Sequence, residues 1–146
     1  MTIYALSTVQ GQSGVAIIRV SGPLAEEAIF KLTHKKLKPR MATLCKIFNS
    51  KKEALDEAVV IFFEEKRSFT GESVAEFQTH GGEAIIRSVL RELSLIKGLR
   101  PAEPGEFTKQ AYLSGKINLV QAEGLGDLIS AQTEKQRQQA RMQYGD

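Results

Sequence analysis

Ser68-Phe69-Thr70-Gly71-Glu72-Ser73-Val74-Ala75-Glu76-Phe77-Gln78-Thr79-His80-Gly81-Gly82 sets the fold reading. Val74–Thr79 alternates as a strand, and it carries a carboxylate, Glu76, inside that run. The double glycine that ends it leads into a helix. Ala84, Ile85, Val89, Leu90, Leu93 and Ile96 recur at helical spacing and predict a buried stripe, with Gly98 at its stop. A second stretch, Ala102-Glu103-Pro104-Gly105-Glu106-Phe107-Thr108-Lys109-Gln110-Ala111-Tyr112-Leu113-Ser114-Gly115-Lys116, has the same mixture of glycine, charge and aromatics. It reads as a Pro-Gly start, a short helix over 106–114 and a Gly-Lys stop. Core packing alone rarely asks for such a mixture. The two stretches together predict a binding site built from strand ends and helix termini.

Toward the N-terminus, residues 3–8 read as a short strand and Val15–Val20 as a strongly apolar one. Val9-Gln10-Gly11-Gln12-Ser13-Gly14 between them is a loop by its glycines. Ser21-Gly22-Pro23 starts a helix, since proline is tolerated in a first turn. Leu24, Ala28, Ile29 and Leu32 give that helix its apolar face. Residues 41–48 read as a strand, Asn49-Ser50-Lys51-Lys52 as a turn, Glu57–Phe63 as a buried strand and 64–71 as a loop. Pro101–Gly105 reads as a linker. Asn118 with Gln121 resembles a capping box ahead of a long helix from Leu119 toward residue 142. The second half of that helix, 133–139, is almost wholly polar, so it either frays or is the cut end of a longer helix. The expected division is 1–117 as a compact domain and 118–146 as the first helix of a truncated helical domain.

The chain has 146 residues, 42% apolar and 25% charged, which suits one globular domain with or without an appendage. No apolar run approaches the ~20 residues of a bilayer span. The N-terminus lacks a basic region followed by a long apolar stretch, so the expected location is cytoplasmic. A single cysteine, Cys45, excludes a disulfide framework within one chain. His34 and His80 lie far apart, and no metal site is expected. The net charge of +3 is too mild to establish nucleic-acid binding. His34-Lys35-Lys36-Leu37-Lys38-Pro39-Arg40, followed by Lys51-Lys52, is a local basic cluster that reads as a solvated loop or a weak phosphate contact.

Three charged residues are awkward on pattern. Arg19 shares a strand face with Val15 and Ile17, and Glu76 shares one with Val74 and Gln78. Each must reach solvent or a partner, because an unpaired buried charge is costly. They either bridge neighbouring strands or both point into a polar pocket for a small molecule. Lys116, after the Gly115 stop, reads as a solvated lysine near a helix C-terminus. His80 reads as capping or packing against the helix start, and Gly81-Gly82 as an anion site of a common kind. No phosphate-binding loop is present, because Gly115-Lys116 is followed by Ile117 and Gln110 stands where glycine is needed. Gly11-Gln12-Ser13-Gly14 has the spacing of an RNA-binding GxxG loop but precedes a strand. No catalytic residues are assigned.

Three blocks, Thr8 to Gly22, Ser68 to Gly82 and Pro104 to Ala131, resemble the N-terminal domain of the MnmE (TrmE) family of tRNA modification GTPases. The resemblance implies an α+β domain, a mixed β-sheet with flanking helices, similar to the folate-binding domain of glycine-cleavage aminomethyltransferases. It implies a homodimer that binds a tetrahydrofolate derivative, in the 5-formyl or 5,10-methylene form. It further implies a parent enzyme that hydrolyses GTP with Mg and K outside this segment. That enzyme works with the FAD-dependent partner MnmG on carbon 5 of the wobble uridine in tRNA, with folate as one-carbon donor. By motif, the implied folate contacts are Arg19, Glu76 and Lys116. The chain departs from the family pattern at Gln110, Ser114 and Asn118, where arginine, asparagine and aspartate are usual.

Other readings differ in class. The chain can be a dimerisation scaffold without ligand, a stand-alone folate-dependent one-carbon transferase, or an RNA-binding module. The chain is short for the transferase, and the mild charge argues against the RNA module.

Overall fold

A computed structural model describes residues 1–9 and 14–124. Strand Thr2–Val9 (β1) is followed by Val15–Ser21 (β2), helix Ala25–Thr33 (α1), strands Thr43–Phe48 (β3) and Ala54–Phe63 (β4), and a short 3-10 turn at Glu65–Arg67. Strand Val74–His80 (β5), helix Glu83–Ser94 (α2), strand Leu99–Pro101 (β6) and helix Glu106–Leu113 (α3) complete the order. The strands form one six-stranded sheet in the order β3-β4-β5-β2-β1-β6. Its pairs are antiparallel except β1 with β6, which is parallel. The molecule is therefore α+β with a mixed sheet.

Strand alternation sorts the side chains onto two faces. Ile18 and Val20 of β2, Ala75 and Phe77 of β5, Ala58 and Val60 of β4, and Cys45 and Ile47 of β3 form one cluster with Ala28, Ile29 and Leu32 of α1 and Val89 and Leu93 of α2. Phe77 is fully buried there, a burial that contributes about 2–3 kcal/mol. Arg19, Glu76, Ile17, Gln78, Val59 and Ile61 alternate with those residues and lie on the other face, only partly buried. α1 and α2 do not cover that face.

Several boundaries differ from the sequence reading. α1 begins at Ala25 rather than Pro23, because Thr2 Oγ1 on β1 accepts the Leu24 N–H at 3.0 Å and holds the preceding turn. β4 starts at Ala54, three residues before Glu57. Pro101 closes β6 instead of opening a linker, and Ala102 N–H then donates to Tyr4 O at 2.8 Å. Ala84 is exposed, so the apolar stripe of α2 rests on its later residues. The capping box is present: Asn118 N–H donates to Gln121 Oε1 at 2.9 Å, and Gln121 N–H to Asn118 Oδ1 at 2.8 Å. Residues 119–124 are helical. The rest of the predicted long helix lies outside the described residues. No described helix is long and apolar enough to cross a membrane.

Candidate functional site

β2 and β5 pair in a register that sets Arg19 opposite Glu76. Arg19 Nη2 donates to Glu76 Oε1 at 3.3 Å. Their side chains keep 25% and 16% of their exposure, so the pair is desolvated but reachable. The guanidinium carbon lies 5.9 Å from the Phe69 ring centroid and 5.8 Å from that of Phe107, within cation–π range. Phe69 belongs to the loop before β5 and Phe107 to α3. Thus the loop and helix quoted at the outset meet over one strand residue. Both sequence readings of the pair are compatible with this geometry: the strands are bridged, and the bridge faces partly open space.

A polar set centred on the buried Ser21 and Thr70 fixes the loop and α3 to the sheet. Ser21 Oγ donates to Gln110 Oε1 at 2.6 Å, and Ser21 and Thr70 share a hydroxyl–hydroxyl bond of 2.7 Å. Ser114 Oγ donates to the Thr70 carbonyl at 2.6 Å. Ser114 therefore holds the 68–71 loop directly, Gln110 holds Ser21 of β2 beside it, and Asn118 caps the following helix. Gly71 sits at φ +82, and a Cβ there would lie 1.9 Å from Ser114 Oγ. Only glycine fits that approach.

Lys116 reaches the same loop from its other end. Its Nζ donates to the Lys66 carbonyl at 2.8 Å, and a Cβ on Gly71 would lie 3.2 Å from its Cγ. The structure thus joins Arg19 to Glu76 directly, while Lys116 is linked to them through the 66–71 loop.

α3 is anchored by Glu106. Its carboxylate takes both guanidinium nitrogens of Arg100 on β6, one of them at 2.7 Å, and the Glu103 N–H at 2.8 Å. The Arg100 hydrogen bond lowers the Glu106 pKa from 4.5 to about 2. Cys45 is buried, and burial pushes its thiol up despite the charge of Lys35.

Sequence reasoning missed one constellation. His80 does not cap α2. Its Nδ1 lies 2.6 Å from Asp56 Oδ1 and its N–H donates to Asp56 Oδ2 at 2.9 Å. Asp56 is on β4, and its carboxylate is nearly buried while His80 is exposed. The only sequence signal was a carboxylate inside the alternating start of β4.

The family model described as "GTP-binding protein TrmE N-terminus" matches residues 2–116. The chain belongs to that family. The TrmE N-terminal match spans every element from β1 to α3. The chain is 51% identical over 147 residues to the 5-taurinomethyluridine-[tRNA] synthase subunit GTPB3, mitochondrial, of Danio rerio, covering 99% of this chain and 29% of that protein. It is 50% identical to the tRNA modification GTPase MnmE of Parvibaculum lavamentivorans, covering 95% of this chain and 32% of that one. The tRNA modification GTPase gtpbp3, mitochondrial, of Dictyostelium discoideum is also 50% identical, over 93% and 28%. The chain spans about a third of the length of these TrmE relatives.

Proposed function

We propose that this chain is the tetrahydrofolate-binding and homodimerising N-terminal part of a GTPase that modifies carbon 5 of the wobble uridine in tRNA. Its fold is then that of the folate-binding domain of aminomethyltransferases. The observation that carries the reading is the Arg19–Glu76 pair between Phe69 and Phe107 on the sheet face that α1 and α2 leave uncovered.

The donor set suits a reduced folate. A pterin presents an amino group and a ring N–H along one edge, and a carboxylate such as Glu76 accepts both. Arg19, 3.3 Å from Glu76, suits an oxygen at the pterin end such as a formyl oxygen, and Lys116 suits a carboxylate of the glutamyl tail. Phe69 offers an exposed flat surface for a ring system. When bound, the 5-formyl or 5,10-methylene form supplies the one-carbon unit. The chain's own residues bind and orient it. In this reading GTP, Mg and K, the flavoprotein partner MnmG and the tRNA engage the rest of a longer protein; the relatives' names support its GTPase and tRNA-modifying character.

Light scattering with and without a reduced folate tests the dimer. A dimeric mass supports this reading, and a monomer under both conditions removes homodimerisation from it. A dimer that ignores folate, with no folate heat by calorimetry, would instead support the ligand-free scaffold.

A further inference from the structure

We propose that the basic edge of the sheet, built by residues 31–52 beside β3, docks the phosphate backbone of structured RNA. The choice of RNA rests on the tRNA reading above; the surface itself is independent of the Arg19–Glu76 site. Residues 31–52 hold eight Lys or Arg and no Asp or Glu. The other 124 residues carry twelve Lys or Arg against seventeen Asp or Glu, a balance of −5. A mild overall charge thus conceals a strongly segregated one, and a segregated field steers polyanions.

All eight cations are exposed. The ion pairs among the described residues use Arg19, His80, Arg87 and Arg100 and none of the eight. Their placement is linear. β3 is an edge strand. The segment that follows α1 starts at His34, stacked on Phe48 at 5.0 Å at the far end of β3. It finishes at Arg40, whose N–H donates to Phe62 O at 2.7 Å. Leu37 is buried in the core and pins this segment, leaving Lys35, Lys36 and Lys38 outward. Lys51 and Lys52 extend the row at the β3–β4 turn. A six-residue strand is about 20 Å long, so the row can follow several phosphates. At the turn lies a hollow of about 500 Å³ lined by Lys31, His34, Lys52 and Lys97 together with Glu27 and Glu92, the latter held by Ser50 at 2.7 Å.

Backbone strain marks the same edge. Among the described residues the non-glycine positions with positive φ are His34 at 60°, Arg40 at 64° and Lys52 at 65°. Each costs roughly 1–2 kcal/mol that glycine would avoid. His34 is the left-handed C-cap of α1 and Lys52 closes the turn on Asn49 O, so both place a basic side chain or imidazole where glycine or asparagine is the usual choice. Dipole complementation at the end of α1 accounts for Lys31, His34 and Lys35, but not for Lys36, Lys38, Arg40, Lys46, Lys51 or Lys52.

The test is fluorescence anisotropy of labelled tRNA with the whole chain from 50 to 200 mM KCl. The variant Lys36→Gln/Lys51→Gln is compared with Arg87→Gln/Lys109→Gln, which removes the same charge elsewhere. All four side chains are exposed, and circular dichroism checks folding. The wild type should bind at 50 mM salt. The first variant should flatten the log–log salt slope by about 2 and weaken binding at least tenfold, and the second should change the slope by less than 1. Equal losses in both variants, or an unchanged slope in the first, overturn the surface while leaving the tRNA reading standing. No tRNA binding by wild type overturns it, as does tighter binding to phosphatidylserine vesicles than to tRNA. Folate binding by the first variant should match wild type.

Discussion

Arg19 and Glu76 face each other at 3.3 Å across β2 and β5, each on the sheet face opposite the core. Truncating one partner leaves the other partly desolvated, so each residue depends on its neighbour. Arg19→Ala and Glu76→Ala are each expected to lower stability by about 1–2 kcal/mol. The double variant should lose less than the sum by about 1 kcal/mol. Urea unfolding of the four proteins measures this, and strict additivity would show that the two charges are not coupled.

Glu106 links acid stability to the seating of α3. Its carboxyl titrates at about 2 in the fold against an ordinary 4.5, chiefly because Arg100 donates to it. Between those values the unfolded chain binds the extra proton, so stability rises with pH there. The contribution is complete above pH 4.5 and is lost as pH falls through about 2. Glu106→Gln should lower stability at pH 7 and show a shallower decline between pH 4.5 and 2. Urea midpoints at stepped pH read it, and parallel declines would dissociate Glu106 from acid sensitivity.

Gly71 is held against Ser114 so closely that any Cβ must displace α3 or the loop. Gly71→Ala should cost about 2 kcal/mol, from the left-handed backbone and the collision together. Adding Ser114→Gly should recover part of that loss, since it removes the collision and leaves the φ of +82. Thermal unfolding of these proteins and of Ser114→Gly alone, which reports the loss of the Ser114–Thr70 bond, decides it; strictly additive losses would place the whole cost in the backbone.

The sequence pattern anticipated β2, β5 and α3 because each depends on local signals: alternation, a double glycine, a Pro-Gly start. The Asn118–Gln121 box was equally local. β6 escaped because three residues ending in proline become a strand only through β1, which accepts them in parallel. Asp56 and His80 are 24 residues apart, and only the β4–β5 register brings them together. For the site, chemistry singled out Arg19 and Glu76 as charges needing a partner, and the β2–β5 register supplied it. The roles of Gln110 and Ser114 as hydrogen-bond anchors were not legible. They depend on α3 lying over Ser21 and Thr70, a tertiary contact without local periodicity.

Folate recognition by Glu76 is tested most directly by calorimetric titration of 5-formyltetrahydrofolate into wild type and Glu76→Gln, which keeps the side-chain shape and removes the charge. Wild type should bind, and a folded Glu76→Gln should bind at least tenfold more weakly, about 1.4 kcal/mol. Equal affinities in the two proteins would contradict the assignment of this carboxylate to the pterin.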